Sequence, residues 1–424
     1  MHVAIIGNGV TGVSAAKSIR RLQPDWKISL ISGESAHHYS RPALMYIFMG
    51  HMSYKDTKPY QDHFWEINNI DLVRAWVTRI DTQYKKLELH KHDPIEYDKL
   101  LIATGSKSNK FGWPGQDLDG VQGLWDLMDL GRLYENVKDA KRAVIVGGGL
   151  IGIELAEMIH SRNIDVTFLV REESYWNNIL PKEESMMINS IISEEGLDLK
   201  LQTELKEIVD DGNGRVGAVI TNKDERIDCE LVGLTAGVSP NLDLVRESEI
   251  DTGRGVLTDW SFRTNIPDIY AAGDCAEIVT EGEDRNLIQQ VWYTGKMQGK
   301  VAGEVIAGKD SVYDPGIWYN SAKFFDLEYQ TYGRVSNVVQ DGEDNFYWEH
   351  PNSKHAIRIV TEDEVVIGIN VMGLRYRHKV CESWIKDKRS LAYVLDHLKD
   401  ANFDPEFYDK FEQEIRSTLR GKAA

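Results

Sequence analysis

Cysteine is nearly missing. The chain holds three in 424 residues, Cys229, Cys275 and Cys381. They lie far apart and form no C-x-x-C pair, which excludes a disulfide framework and points to a reducing, cytoplasmic compartment. The same scarcity leaves no spacing for an iron–sulfur centre and no pattern for zinc, so no metal site is expected. Basic charge is also short. Forty-nine Lys and Arg face 67 Asp and Glu, a net charge of −18. A field of that sign repels nucleic acid and anionic lipid. No apolar run approaches the ~18 residues that span a bilayer. Met1-His2-Val3-Ala4-Ile5-Ile6 enters a strand without a basic leader, so no signal peptide is expected. With 11 prolines and 35 glycines, no long disordered tract is expected either.

What the chain does have is repetition. Val3-Ala4-Ile5-Ile6-Gly7-Asn8-Gly9-Val10-Thr11-Gly12 is echoed by Ala143-Val144-Ile145-Val146-Gly147-Gly148-Gly149-Leu150-Ile151-Gly152. Each is an apolar β-branched run, then G-x-G-x-x-G, then a helical pattern, read as Val13 to Leu22 and Ile153 to Arg162. A second strand follows each helix, Lys27 to Ile31 and Asp165 to Val170. Both stretches are β-α-β units of the length that dinucleotide binding requires. Between them a hairpin-like region is predicted, Leu72 to Ile80 with Lys86 to His92, and then the strand Lys99 to Gly105. The second half repeats that plan. Strands at Leu199 to Ile208 and Val216 to Thr221 flank the turn Asp211-Gly212-Asn213-Gly214, and Leu231 to Gly237 follows.

The glycines carry the chemistry. The first of each fingerprint permits the tight turn, the second lets a diphosphate approach the backbone, and the third lets helix and strand pack closely. Helix dipole and unpaired N–H groups then hold the anion. The candidates are Gly7, Gly9 and Gly12 in the first unit and Gly147, Gly149 and Gly152 in the second. After the first unit, Glu34 is placed to accept hydrogen bonds from the ribose of an unphosphorylated adenosine, which fits FAD. After the second, Arg171 suits the 2′-phosphate of NADPH and Glu172 suits the 2′-hydroxyl of NADH. The signals conflict, with a lean to NADH.

With these motifs the chain resembles the two-dinucleotide-domain flavoprotein reductases of the pyridine nucleotide-disulfide oxidoreductase superfamily, over roughly residues 1 to 310. The resemblance is to ferredoxin and rubredoxin reductases and to the flavin module of nitrite reductase large subunits. It is carried by both fingerprints, the second extended through Ile153-Glu154, and by Tyr39-Ser40-Arg41-Pro42 and Ala103-Thr104-Gly105. Ala236-Gly237-Val238-Ser239-Pro240-Asn241 and Ile269-Tyr270-Ala271-Ala272-Gly273-Asp274-Cys275-Ala276 complete it. It implies that Gly273 and Asp274 contact the ribitol and phosphate of FAD, and that Arg41 and Pro42 pack beside the flavin. Thr104, Gly105 and Gly237 join them as binding candidates. Gln290 and Val291 open a helix whose dipole faces the pyrimidine end of the flavin. Gly295, Gly299 and Gly303 recur on one face of that helix, where another backbone can approach.

Two departures matter. Members that reduce disulfides carry redox cysteines early in the chain, and here none precedes Cys229, so a dithiol mechanism is excluded; Cys275 reads as packing. Many relatives also carry a lysine five residues after the arginine matching Arg41, paired with the glutamate matching Glu154. Here Tyr46 stands there. The expectation is a Tyr46–Glu154 hydrogen bond beside the flavin, with Glu154 partly protonated near neutral pH.

The expected architecture is α/β: two Rossmann-like domains and a smaller α+β C-terminal domain. The FAD domain covers 1–115 and 240–315, the NAD(P)H domain 116–239, and the C-terminal domain 316–424. In the last, residues 317 to 372 read as strands and about 379 to 420 as charged helices without a broad apolar stripe. The cluster Arg375-Tyr376-Arg377-His378-Lys379 suits an acidic acceptor, a subunit contact of a homodimer, or a solvated face. The resemblance implies hydride transfer from NADH or NADPH to the flavin, with Arg41, Tyr46 and Glu154 around it, and then discharge to a carrier protein or small acceptor. Two alternatives stay open, an NADH-binding signalling flavoprotein of the apoptosis-inducing-factor kind and a quinone-reducing NADH dehydrogenase.

Overall fold

The computed structural model describes residues 1–403, 406 and 409–423. The chain divides into two compact units, Met1–Asn109 with Gln122–Glu135 and Gly237–Pro315, and Lys110–Val121 with Asn136–Ala236 and Gly316–Ala424.

The first unit is built on a parallel sheet ordered Ile269–Ala271, Lys99–Ile102, His2–Ile6, Lys27–Ile31, Ile70–Val73. Its central strands are almost wholly apolar because both faces are covered, as parallel sheets require. Val3, Ile5, Ile28 and Leu30 join one core, with Val13, Ala16 and Ile19 of the helix Val10–Leu22. Ala4, Ile6, Leu100 and Ile102 join the core on the other face. A three-stranded antiparallel sheet, Val77–Asp81, Lys86–Leu89 and His92–Glu96, follows the last parallel strand.

The second unit repeats this order: Leu231–Leu234, Arg142–Val146, Asp165–Val170 and Asp198–Leu201 are parallel neighbours. A three-stranded antiparallel sheet, Leu205–Asp210, Val216–Thr221 and Arg226–Asp228, again comes after. The predicted strands Leu72 to Ile80 and Leu199 to Ile208 are therefore each two strands, broken at Arg74–Trp76 and at Gln202–Glu204. In the second case the chain turns at Gln202, whose φ of +49° no strand tolerates.

The same unit contains a five-stranded antiparallel sheet ordered Tyr319–Phe324, Leu327–Gly333, Val365–Met372, Ala356–Glu362, Glu343–Glu349. The helices His378–Lys386, Leu391–Ala401 and Glu412–Ala423 pack on it. Here the structure corrects the expectation of helices without an apolar stripe. Leu391, Val394, Leu395, Leu398 and Ala401 follow helical spacing and are buried against Ile357, Ile369 and Val371. Charges such as Asp396 and Lys399 on the opposite side masked that face in the sequence. The part of the helical reading at 404, 405, 407 and 408 lies outside the described residues. Among the described residues, no helix is long and apolar enough to cross a membrane.

Two elements of the second unit are tied through its interior. Arg358 on Ala356–Glu362 reaches Glu184 on the helix Lys182–Glu194 at 2.8 Å, and Glu183 at 2.7 Å. Arg358 and Glu184 are buried. The basic cluster is partly engaged: the Arg375 Nε donates to Glu328 at 2.8 Å, the Arg377 Nε donates to the Asn402 carbonyl at 3.1 Å and Tyr376 is buried, while Arg377 and Lys379 remain exposed.

Candidate functional site

Both glycine turns have the same local geometry. Gly7 has a φ of +110°, and a Cβ on it would stand 2.1 Å from the Ala103 carbonyl oxygen. A Cβ on Gly12 would stand 2.0 Å from the Gly7 oxygen. These two glycines are required by close approach of the chain to itself. Gly9 differs: nothing lies within 4 Å of where its Cβ would be. It caps the helix Val10–Leu22, whose first N–H groups lack intrahelical partners.

In the second unit, Gly147 has a φ of +125° with its Cβ position 2.6 Å from the Thr235 carbonyl, and that of Gly152 is 2.9 Å from the Gly147 carbonyl. Gly149 again faces open space and caps Leu150–His160. An open second glycine between two locked ones, at a helix start, is the cradle a diphosphate needs. The residues present fit two dinucleotides. Both helices begin at once after the second glycine, at Val10 and Leu150 rather than at Val13 and Ile153.

The predicted FAD residues of the first unit are brought together. Glu34, after the strand Lys27–Ile31, pairs with Arg41 at 2.8 Å. The Tyr39 hydroxyl donates to the same carboxylate, and the Leu127 amide donates at 3.3 Å. Burial alone lowers the Arg41 pKa, but neighbouring Tyr39 and Glu34 outweigh it and raise the value. Pro42 occupies the 3-10 turn Arg41–Ala43.

Around the Gly-Asp motif, Gln290 donates to the Ser106 hydroxyl at 2.6 Å, and Ser106 donates to Asp274 at 3.2 Å. Burial pushes the Asp274 carboxyl up to about 6, against the opposing effects of Ser106 and Arg41. The Gly273 amide donates to Gln298 at 2.8 Å, the Thr104 hydroxyl donates to the Asn241 carbonyl at 2.9 Å, and Gly105 has a φ of +70° facing open space. Gly237 has a φ of +87° and accepts from the Asn109 amide.

Val291 caps the helix Trp292–Ile306. The predicted glycine face on that helix does meet another backbone. Cβ atoms on Gly299 and Gly303 would lie 2.2 Å from the Thr11 carbonyl oxygen and 2.5 Å from that of Ala15.

In the second unit, Arg171 and Glu172 bond each other at 2.8 Å. The buried Tyr175 donates its hydroxyl to the Gly149 carbonyl at 2.9 Å. Glu154 lies on the helix Leu150–His160, and burial together with neighbouring Glu157 pushes its carboxyl up to about 7. Lys323 stands 3.5 Å from Glu157. Tyr46, on Leu44–Phe48, belongs to the first unit.

Sequence reasoning passed over Ser106, Gln298, Tyr39 and Tyr175 as bonding partners. Ser106 directly follows Ala103-Thr104-Gly105 and Tyr39 opens the Arg41 motif, so adjacency was the available signal for both. All three cysteines are buried. Burial pushes the Cys229 thiol up to about 12 and raises those of Cys275 and Cys381, so none is an activated thiolate.

Comparison with known proteins agrees with this geometry. Residues 1–299 match the family described as pyridine nucleotide-disulphide oxidoreductase. The chain is 28% identical over 402 residues to the NADH-rubredoxin oxidoreductase of Clostridium acetobutylicum, covering 93% of this chain and 99% of that one. It is 30% identical over 278 residues to the nitrite reductase [NAD(P)H] of Bacillus subtilis, covering 65% of this chain but only 34% of that relative. Among solved structures, a NAD-dependent persulfide reductase from A. fulgidus superimposes with a TM-score of 0.84 at 22% identity, over 100% of this chain and 83% of that one.

Proposed function

The chain belongs to the pyridine nucleotide-disulphide oxidoreductase family, an NAD(P)H-dependent flavoprotein oxidoreductase using FAD, and we propose that it reduces a small carrier protein or small-molecule acceptor without an enzyme disulfide. The observation that carries this is the pair of open second glycines, Gly9 and Gly149, each at a helix start between two locked glycines. FAD held there would supply the hydride chemistry that links the reduced nicotinamide to the acceptor.

The chain's own residues bind and orient. Gly7, Gly9 and Gly12 with Glu34, Arg41 and Pro42 hold the adenosine and diphosphate side of FAD. Thr104, Gly105, Gly273 and Asp274 hold its middle, and Gln290 and Val291 present a helix start to its far end. Gly147, Gly149, Gly152, Arg171 and Glu172 hold the nicotinamide dinucleotide, and Gly237 is a further binding candidate. By the family resemblance, Arg41, Tyr46 and Glu154 belong to the flavin's surroundings. The FAD domain is assigned to 1–115 and 240–315, the NAD(P)H domain to 116–239 and a further domain to 316–424, in a cytoplasmic enzyme. The buried cysteines support an exit for electrons that bypasses thiols. Relatives named for rubredoxin and ferredoxin make such a carrier the first acceptor to try.

The test is anaerobic mixing of the purified, flavin-loaded protein with NADH. Fast bleaching of the flavin absorbance, followed by reoxidation on adding a rubredoxin, a ferredoxin or ferricyanide, is expected. A protein that stays colourless with added FAD, or one reduced only slowly into a long-lived charge-transfer complex, overturns the proposal.

A further inference from the structure

One aromatic side chain, Trp76, lies against Gly33, the residue that precedes Glu34. The strand Lys27–Ile31 ends in Ser32-Gly33-Glu34, and the link Arg74–Trp76 runs across that end. The crossing is tied on both sides. The Val73 carbonyl accepts from Ser32 at 3.0 Å and from Ala75 at 3.2 Å, and the Trp76 carbonyl accepts from His90 at 2.8 Å. A Cβ on Gly33 would lie 2.1 to 2.5 Å from the Cδ2, Cε2 and Cγ atoms of Trp76. The indole therefore rests on the Gly33 α-carbon, in space that any other residue would fill. Gly33 is required here by that contact and not by its φ. Trp76 is 51% exposed, and among the described residues it is the only exposed tryptophan of the first unit.

We propose that Trp76 is the platform for the adenine ring of FAD, its outer face stacking on the base while Glu34 takes the adjoining ribose. This rests on the FAD reading of Glu34. Three features support it. The backbone that carries the indole is held by hydrogen bonds and the ring is seated on Gly33 before any ligand arrives, which limits the freedom lost on stacking. A flat, half-exposed aromatic suits a purine better than water, because each offers a π-face. The residue beside the indole's seat is the carboxylate assigned to the sugar that carries the base. The platform makes Trp76 a specificity residue: it favours FAD over FMN, which lacks the adenosine half.

The test uses apoprotein stripped of flavin and titrated with FAD and FMN by flavin fluorescence. Trp76→Ala is expected to weaken FAD roughly 5- to 100-fold. Trp76→Phe should stay within about 3-fold because a ring remains, and FMN should bind wild type and W76A alike. In addition, AMP should quench tryptophan fluorescence in wild type but not in W76F, a readout that stands even where W76A fails to fold. Unchanged FAD affinity in folded W76A, an equal loss of FMN, or AMP quenching that persists in W76F overturns the platform alone. Wild-type apoprotein that takes up no FAD overturns the proposed function with it.

Discussion

Arg41 and Glu34 form a 2.8 Å ion pair in which the carboxylate also accepts from Tyr39. Both groups are thus oriented in advance: Glu34 keeps acceptor capacity for hydroxyls, and Arg41 spends part of its guanidinium holding it there, with another N–H donating to the Trp125 carbonyl. Glu34→Ala removes an ionised acceptor worth about 1.5–3 kcal/mol per hydrogen bond. It should lower FAD affinity about 10- to 100-fold, read as flavin retained after gel filtration and as a dissociation constant.

The glycines of one fingerprint should separate by phenotype. Gly7→Ala places a methyl against the Ala103 carbonyl at a φ of +110°, so it should impair folding and lower the melting temperature of apoprotein and holoprotein alike. Gly9→Ala meets nothing in the chain and should melt with wild type as apoprotein while losing FAD. Gly149→Ala should likewise spare stability and raise KM for the nicotinamide nucleotide.

Burial and neighbouring Glu157 push the Glu154 carboxyl from an ordinary 4.5 up to about 7. Between those values the unfolded chain has lost the proton that the folded chain keeps, so stability falls as pH rises from about 4.5 to 7 and is level above. Glu154→Gln removes that loss. Relative to wild type its melting temperature should climb between pH 5 and pH 8, by an amount corresponding to about 3 kcal/mol at most. A difference that stays flat with pH would show that the carboxyl ionises normally.

Arg171 is largely exposed and is held by Glu172 at 2.8 Å, so a 2′-phosphate must break that pair and face the carboxylate. NADH should therefore reduce the flavin with a kcat/KM about 10-fold or more above that of NADPH. Glu172→Ala should narrow the gap by freeing Arg171. Stopped-flow reduction with each nucleotide decides it.

Arg358 and Glu184 are paired in the interior of the second unit. Arg358→Ala strands a buried carboxylate and should cost about 3–5 kcal/mol. The pair R358M and E184M made together should cost less, because no lone charge is left behind. Thermal scans of the three proteins at one pH make the comparison.

The sequence made the paired glycine turns, the parallel strands and the glycine seam legible, because each is a local pattern or a close approach that only one residue type allows. It did not reveal the breaks at Arg74–Trp76 and Gln202–Glu204. Apolar alternation runs on through Val73, Ala75 and Val77 while the backbone changes sheets. Nor did it reveal that Trp125 and Leu127 serve Arg41 and Glu34, since partners more than 80 positions apart leave no local trace. The buried face of Leu391–Ala401 was missed because its charges, counted per turn, hid their confinement to one side.

The outermost strand of the first parallel sheet, Ile269–Ala271, pairs with Lys99–Ile102 across the whole intervening stretch. On the ribosome, the sheet holding Arg142–Val146 has its four principal strands once Leu234 has emerged, whereas the sheet begun by His2 must wait for Ala271. The part translated first is therefore completed later, and until then Lys99–Ile102 presents a bare hydrogen-bonding edge. Nascent chains arrested between those two points are the species for which a chaperone has most to cover.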